Sequence, residues 1–435
     1  METAGRRLAL SEWEERSAAD EPALRGLFLD TPEVARAVEA LRAQGLQVRE
    51  GRLGLSIRAG QYVGMVQLGP LLLTIRPKLP TDELWYILSY VLGLDRLPAH
   101  PPTGVLLPEA PFADLLCLAL LQEAERLWRT GLRRDSVRQK EWLTSPRGRI
   151  DSAALAHALP LTSAELPCEH YVRTADIPEN RFVRAGLRLA SGVAYSPTLR
   201  TALLSAERRW GTVCSSAPLN ADALRAAERR LTRLTAGYAP VLRILNLLYA
   251  GAGTPDSLDA LGAGSLHLPG RLWNMALLFE RFVTRLLEEH LPGNQVERQE
   301  PLHGFYRVVA GPHGLGPPLP RPDLVVRRAG RTVAVLDAKY RDMANEGLTR
   351  EILYQMTVYA VAHGIGAQDT MRAIVLYPGR EPLPPDMAYA FPTAPGRDAH
   401  VILRAMDWSA LSRSLRSERR HEELAAEAER CIRGV

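Results

Sequence analysis

The sequence predicts a multi-domain α+β protein: a small β-rich amino-terminal domain, a helical middle domain and a carboxy-terminal α/β domain. Three observations carry this. Short apolar runs punctuated by glycine crowd residues 46–75, leucine and alanine recur at helical spacing from Phe112 onward, and a strand hairpin followed by a helix lies late in the chain. With 435 residues there is enough chain for several separate cores.

The β-rich part reads as four strands, Leu46–Glu50, Leu53–Arg58, Tyr62–Leu68 and Leu71–Ile75, with Gly51, Gly60 and Gly69 at the turns. Gly69-Pro70 and the run Arg76-Pro77-Lys78-Leu79-Pro80 close it, and Asp82–Leu92 has helical spacing. The proline-rich stretch Leu97–Pro111 reads as a linker, so the first domain is residues 1–105. In the middle domain, residues 106–264, the spacing predicts a helix over Phe112–Arg134 and mostly helix to Ala250. Arg133, Arg134, Arg138, Lys140, Arg147 and Arg149 are interleaved with Trp142, which reads either as an anion-binding surface or as a solvated loop with local ion pairs. Pro178 and Glu179 suit the start of a further helix. Gly251–Gly264 reads as the second linker, leaving residues 265–435 as the third domain.

Composition narrows the class. No apolar run approaches the ~18 residues of a membrane span, and the charged segment Met1–Ala19 is no signal peptide, so the cytoplasm is expected. The four cysteines are scattered without a Cys-x-x-Cys pair, which argues against a disulfide scaffold or a zinc site. A net charge of +5 is compatible with a polyanionic partner such as DNA without establishing one. There is no Gly-x-x-x-x-Gly-Lys-Ser/Thr loop, so any motor activity must come from another polypeptide.

The chemistry concentrates between Arg321 and Tyr340. Leu324–Val326 and Thr332–Leu336 are strand-like, and the turn Arg327–Arg331 contains Gly330, so a hairpin returns Asp323 to the side of Asp337. Side chains alternate along a strand, which puts Asp337 and Lys339 on one face and leaves the Ala338 carbonyl free. Two carboxylates and a carbonyl form an oxygen set suited to magnesium, with manganese as an alternative, and an adjacent ammonium can hold or deprotonate a water. The other reading is a surface hairpin ending in an ordinary salt bridge. Lysine is itself informative, because the only lysines are Lys78, Lys140 and Lys339 in a chain that otherwise uses arginine.

At these residues the sequence resembles the PD-(D/E)xK nuclease superfamily, which implies a restriction-endonuclease-like fold and magnesium-dependent hydrolysis of DNA phosphodiesters. The resemblance implies site roles for Asp323, Asp337 and Lys339. Gln355 and Tyr359, one turn apart in a helix read over Arg350–His363, look like a Gln-x-x-x-Tyr element found beside the site in some branches. Glu280, in a helix read over Leu272–His290, matches a glutamate that often completes the metal shell. A solvated helix face explains Glu280 equally well.

A wider set of motifs resembles the McrC subunits of modification-dependent restriction systems. It comprises Tyr62–Leu68 followed by Thr74–Lys78, Arg147-Gly148-Arg149-Ile150-Asp151, Glu179-Asn180-Arg181, Leu278–Val283 and Tyr354-Gln355, in this order. That resemblance implies a partner, a GTP-hydrolysing AAA+ ring (McrB) that reads modified DNA, with contact expected through Gln47–Pro80. It also implies that two nuclease domains must meet, by dimerisation or otherwise, for a double-strand break. The extended terminus Met1–Asp30 and a mixed Glu/Arg helix over Ser409–Arg433 depart from shorter family members. Two other readings are a non-catalytic adaptor of the ring and a stand-alone repair nuclease, and a nicking assay with and without the partner separates all three.

Overall fold

The computed structural model describes residues 6–29, 35, 38–39, 41–42, 46–94, 111–157, 164–250, 270–301, 319–341, 343, 347–364, 371–394 and 397–434. The chain divides into two compact units, one made of Met1–Phe112 with Leu268–Val435 and the other of Ala113–His267. The amino-terminal β segment and the carboxy-terminal segment, separate in the sequence reading, thus share one unit. Residues 97–110 and 251–264, read as linkers, lie outside the described residues.

The first unit begins with β1 (Arg6–Ser11), β2 (Glu15–Ser17), β3 (Gln47–Gly51), β4 (Gly54–Arg58), β5 (Tyr62–Leu68) and β6 (Leu71–Arg76). The last four match the expected strands to within a residue at either end, because glycine at each turn and apolar alternation fix them. β1, in the amino-terminal extension, pairs parallel with β6. Leu10, Ile57, Leu68, Leu71 and Leu73 fill the core between the sheets. α1 (Thr81–Leu92) carries Asp82 and Glu83 in its first turn, where they favour the helix dipole. It ends at Gly93, whose φ of 73° lets its N–H reach back to Ser89 and Tyr90 carbonyls.

The second unit contains α2 (Phe112–Thr130), β7 (Asp135–Leu143), β8 (Arg149–Ile150), α3 (Ser152–His157), β9 (Leu166–Thr174), α4 (Pro178–Val193), α5 (Pro197–Gly211), α6 (Ala221–Arg229) and α7 (Ala239–Ala250). It is therefore not purely helical. The expected long helix stops at Thr130, and the basic stretch beyond it forms an antiparallel sheet in the order β7-β9-β8. Two of the family-like motifs are explained by this unit's construction. Gly148 has a φ of 69°, and a Cβ there would stand 2.4 Å from the Glu169 carbonyl oxygen, so only glycine fits. Asn180 is fully buried; its amide donates to the carbonyls of Arg133 (3.1 Å) and Ala175 (2.7 Å), and its oxygen accepts from the Tyr238 hydroxyl (2.7 Å). Next to it Arg181 clasps Asp176 at 2.7 and 3.0 Å, holding that carboxyl down at about 2.

The chain re-enters the first unit as β10 (Gly270–Asn274), which pairs antiparallel with β5. Asn274 then caps α8 (Met275–His290), accepting from the Ala276 N–H at 2.9 Å. Leu272 to Asn274, read as the start of that helix, are thus strand. A sheet follows from β11 (Asn294–Arg298), β12 (Leu324–Arg328), β13 (Arg331–Ala338), β14 (Met371–Gly379), β15 (Met387–Ala394) and β16 (Arg397–Asp407), with α9 (Arg350–Gly364) between β13 and β14. Its order is β11-β12-β13-β14-β16-β15, and the β13, β14 and β16 strands run parallel. Two helices, α10 (Trp408–Ser414) and α11 (Arg420–Ile432), replace the single one expected over Ser409–Arg433. The second buries Leu424, Ala428, Cys431 and Ile432, as a packing helix should.

One buried tether joins the amino-terminal sheet to the later one. Glu12, which follows β1, accepts from the Tyr340 hydroxyl at 2.9 and 3.2 Å and from the Lys78 N–H at 3.0 Å. Burial raises its carboxyl from 4.5 to about 7, against the opposing pull of the Lys78 N–H, the Tyr340 hydroxyl and the charges of Lys78 and Arg380. A raised folded-state value favours the protonated form, so its contribution to stability is complete below about 4.5 and lost as pH rises through about 7. Glu12→Gln is expected to match the parent in urea unfolding near pH 4.5 and to exceed it at pH 8 by on the order of 2–3 kcal/mol. Equal unfolding free energies at pH 8 would contradict this.

Candidate active site

The hairpin β12–β13 turns through Ala329 and Gly330, whose φ values of 50° and 76° make the two-residue turn that matches strand twist. Leu324 faces Leu336 in the register, which puts Asp323, one residue earlier, across from Asp337. The Ala338 N–H donates to Asp323 Oδ2 at 2.9 Å, and the Asp323 carbonyl accepts from the Gln299 N–H at 2.9 Å, so the aspartate is fixed at both ends. The expected convergence of Asp323, Asp337 and Lys339 is present.

Charge at this point is unbalanced. Asp337 is buried. The Lys339 ammonium stands 2.7 Å from Asp337 Oδ2 and is the cation paired with it. Asp323 is pushed from 3.8 to about 7, first by burial and then by the charges of Asp337 and, further out, Glu280. For Lys339 burial pulls downward, yet the neighbouring carboxylates outweigh it and the net shift is upward. Lys339 is therefore an ammonium at neutral pH. Two carboxylates held together with one cation leave a deficit of positive charge in a buried place, where it is expensive.

α9 contributes the remaining expected residues. Gln355 donates from Nε2 to the Tyr359 hydroxyl at 2.8 Å, and that hydroxyl donates to the Arg321 carbonyl at 2.9 Å. This chain holds the backbone two residues before Asp323. Tyr359 is buried close enough to Asp323, Asp337 and Lys339 for their charges to act on it. Tyr354, one residue before Gln355, is by contrast an exposed aromatic. Glu280, on α8, lies near enough to raise Asp323, but among the described residues no three Asp, Glu, His or Cys side chains group as a metal-holding cluster. The site is thus a pair of acids with Glu280 on its flank. Glu12 and Tyr340, which anchor the backbone immediately after Lys339, gave no signal in the sequence because their partnership spans most of the chain.

The sequence profile of the McrBC 5-methylcytosine restriction system component family matches residues 57–378, which includes the hairpin and α9. The chain belongs to this family. Among solved structures, it is similar to a chain of the Thermococcus gammatolerans assembly of McrB AAA+ hexamers with bound McrC, with 17% identity, 98% of this chain and 100% of that chain covered, and a TM-score of 0.59. A second match is to the Thermococcus gammatolerans McrBC complex, with 17% identity, 66% and 88% coverage and a TM-score of 0.45. At that identity the first likeness speaks for a common mixed α/β fold alone. No curated protein matches the sequence. Among the described residues no helix is long and apolar enough to cross a membrane. As a component of this family the chain is part of a restriction system, and its Asp323–Asp337–Lys339 cluster falls inside the matched region.

Proposed function

We propose that the chain is the DNA-cleaving, McrC-like subunit of a GTP-dependent, modification-dependent restriction complex, with a PD-(D/E)xK catalytic domain. The observation that carries this reading is the pairing of buried Asp337 with Asp323, two adjacent carboxylates served by one ammonium, that of Lys339. A divalent cation, magnesium or manganese, fits that deficit, and Asp323, Asp337 and the Ala338 carbonyl would hold it, with Glu280 near enough to add an outer ligand. Such an ion supplies Lewis-acid charge neutralisation and a more acidic water.

The protein's own groups do the rest. Lys339, kept protonated, orients a water and offsets charge at the phosphate, a better role for it than proton acceptor. Gln355 and Tyr359 hold the strand entering Asp323 in place. One such site cuts one strand, so a double-strand break calls for two of these domains, through dimerisation or the meeting of two complexes.

The partner is a McrB-like AAA+ ring, which supplies the GTPase that this sequence lacks. Apolar side chains of Gln47–Pro80 are largely turned into their own core, whereas the β7-β9-β8 sheet exposes Val137, Trp142, Ile150 and Tyr171. That exposed, arginine-bearing sheet suits docking better than the buried strands do. Tyr171→Asp is expected to lower stimulation of the ring's GTP hydrolysis at least about tenfold without touching basal nicking. Unchanged stimulation would move the contact elsewhere.

The test of the whole reading is nicking of modified plasmid by the purified chain, with and without the ring, in magnesium and in EDTA. Cleavage that requires magnesium is expected, and cutting of modified DNA should require ring and GTP. Cleavage undiminished in EDTA would overturn it.

A further inference from the structure

The parallel strands β13, β14 and β16 end on the same side of the sheet, and crevices outside such carboxyl ends are where open α/β sheets bind ligands. One cavity of about 250 Å³ lies there. Tyr340 and Arg341 follow β13, Tyr377 and Arg380 come from the end of β14, and Trp408 follows β16. Trp13 and Lys78 close it from the amino-terminal sheet.

Its chemistry is specific. Trp13, Tyr340, Tyr377 and Trp408 give aromatic walls, and Lys78, Arg341 and Arg380 are its charged members, all cationic. Trp408 is buried with an indole N–H that has no acceptor among the described residues. Trp13 is held at a φ of 66°, a conformation that a bulky residue adopts only when its surroundings impose it. Tyr340 is locked to Glu12, and Arg380 donates to the Lys78 carbonyl, so walls and rim are tied together. Aromatic lining residues with guanidinium groups, in a space below the usual ~300–1,000 Å³ of small-molecule pockets, suit a single base with its phosphate. The wall begins at Tyr340, whose Cα is about 3.8 Å from that of Lys339.

We infer that this cavity takes one unstacked nucleotide, its base between the aromatic side chains and its phosphate at Arg341 and Arg380. The source is the strand running past Lys339 or a free nucleoside monophosphate, and the former rests on the nuclease reading above. Stacking of this kind is tolerant of base identity and is the general mode for single strands.

The experiment uses the full chain in EDTA, so that binding is read without cleavage. Ultraviolet crosslinking with a single-stranded oligonucleotide carrying 5-iododeoxyuridine, and separately with 5-iododeoxyuridine monophosphate, is mapped by peptide mass spectrometry. Labelling at Trp13, Tyr340 or Tyr377 is expected, with a loss of about tenfold or more in Trp13→Ala and a comparable loss in the exposed, fold-neutral Arg341→Ala. Labelling by the oligonucleotide assigns the strand as source, and labelling by the monophosphate alone assigns a free nucleotide. Absence of label at these residues with both probes, or undiminished label in both variants, overturns the assignment. A chain that labels here yet never cuts DNA would instead count against the nuclease reading alone.

Discussion

Asp337→Ala and Lys339→Ala will each cut magnesium-dependent nicking by about a thousandfold or more, while leaving the folded state and stimulation of the ring's GTP hydrolysis intact. The expectation follows from what each side chain does. Removing Asp337 deletes the buried carboxylate paired with Lys339 and, on the proposed reading, would leave Asp323 and the Ala338 carbonyl as the remaining cation ligands. Removing Lys339 deletes the ammonium that, among the described residues, serves both acids. Neither change strips out apolar core, since Asp337 is a polar side chain and Lys339 is partly exposed. The measurement is conversion of supercoiled to nicked plasmid under single-turnover conditions, with circular dichroism as the folding control. Robust magnesium-dependent cutting by both purified variants would remove the assignment altogether.

Asn180→Leu will destabilise the second unit by about 3–5 kcal/mol. Leucine keeps asparagine's branching but is bulkier, so some overpacking adds to the main loss, the hydrogen bonds that Asn180 makes to the Arg133 and Ala175 carbonyls and accepts from the Tyr238 hydroxyl. The Arg133 carbonyl lies where α2 gives way to β7, and Ala175 follows β9, so the asparagine fastens both long strands of the exposed sheet to the helices. Urea unfolding monitored by circular dichroism reads the effect. A loss below about 1 kcal/mol would mean that water or neighbouring groups take over these bonds.

Much of this molecule was legible in the sequence where local patterning and burial agree. β4 to β6 alternate cleanly with a glycine at each turn, and the hairpin of β12 and β13 brought Asp323, Asp337 and Lys339 together as the alternation of side chains requires. Gln355 and Tyr359 stand out in the sequence through their resemblance to a Gln-x-x-x-Tyr element, and the structure adds their grip on the Arg321 carbonyl. β7 is not legible in the sequence because its side chains are exposed on both faces, so Asp-Ser-Val-Arg-Gln-Lys-Glu-Trp-Leu has no apolar alternation to read. Its basic residues turned out to be partly paired, Arg138 with Glu169 and Lys140 with Asp151. β10 was hidden differently. Leu272, Trp273 and Met275 continue smoothly into the spacing of α8, and only pairing with β5, some two hundred positions earlier, makes the first of them strand.

That pairing governs the order in which the polypeptide can mature. On the ribosome β5 emerges long before β10, and until the later strand arrives its outer flank offers unsatisfied amides and carbonyls to any passing chain. The intervening segment of residues 113–267 forms the second unit. The first unit is therefore completed only after the second unit's segment has been made, by joining two distant pieces of sequence, a non-local step that is slow and exposed to misassembly.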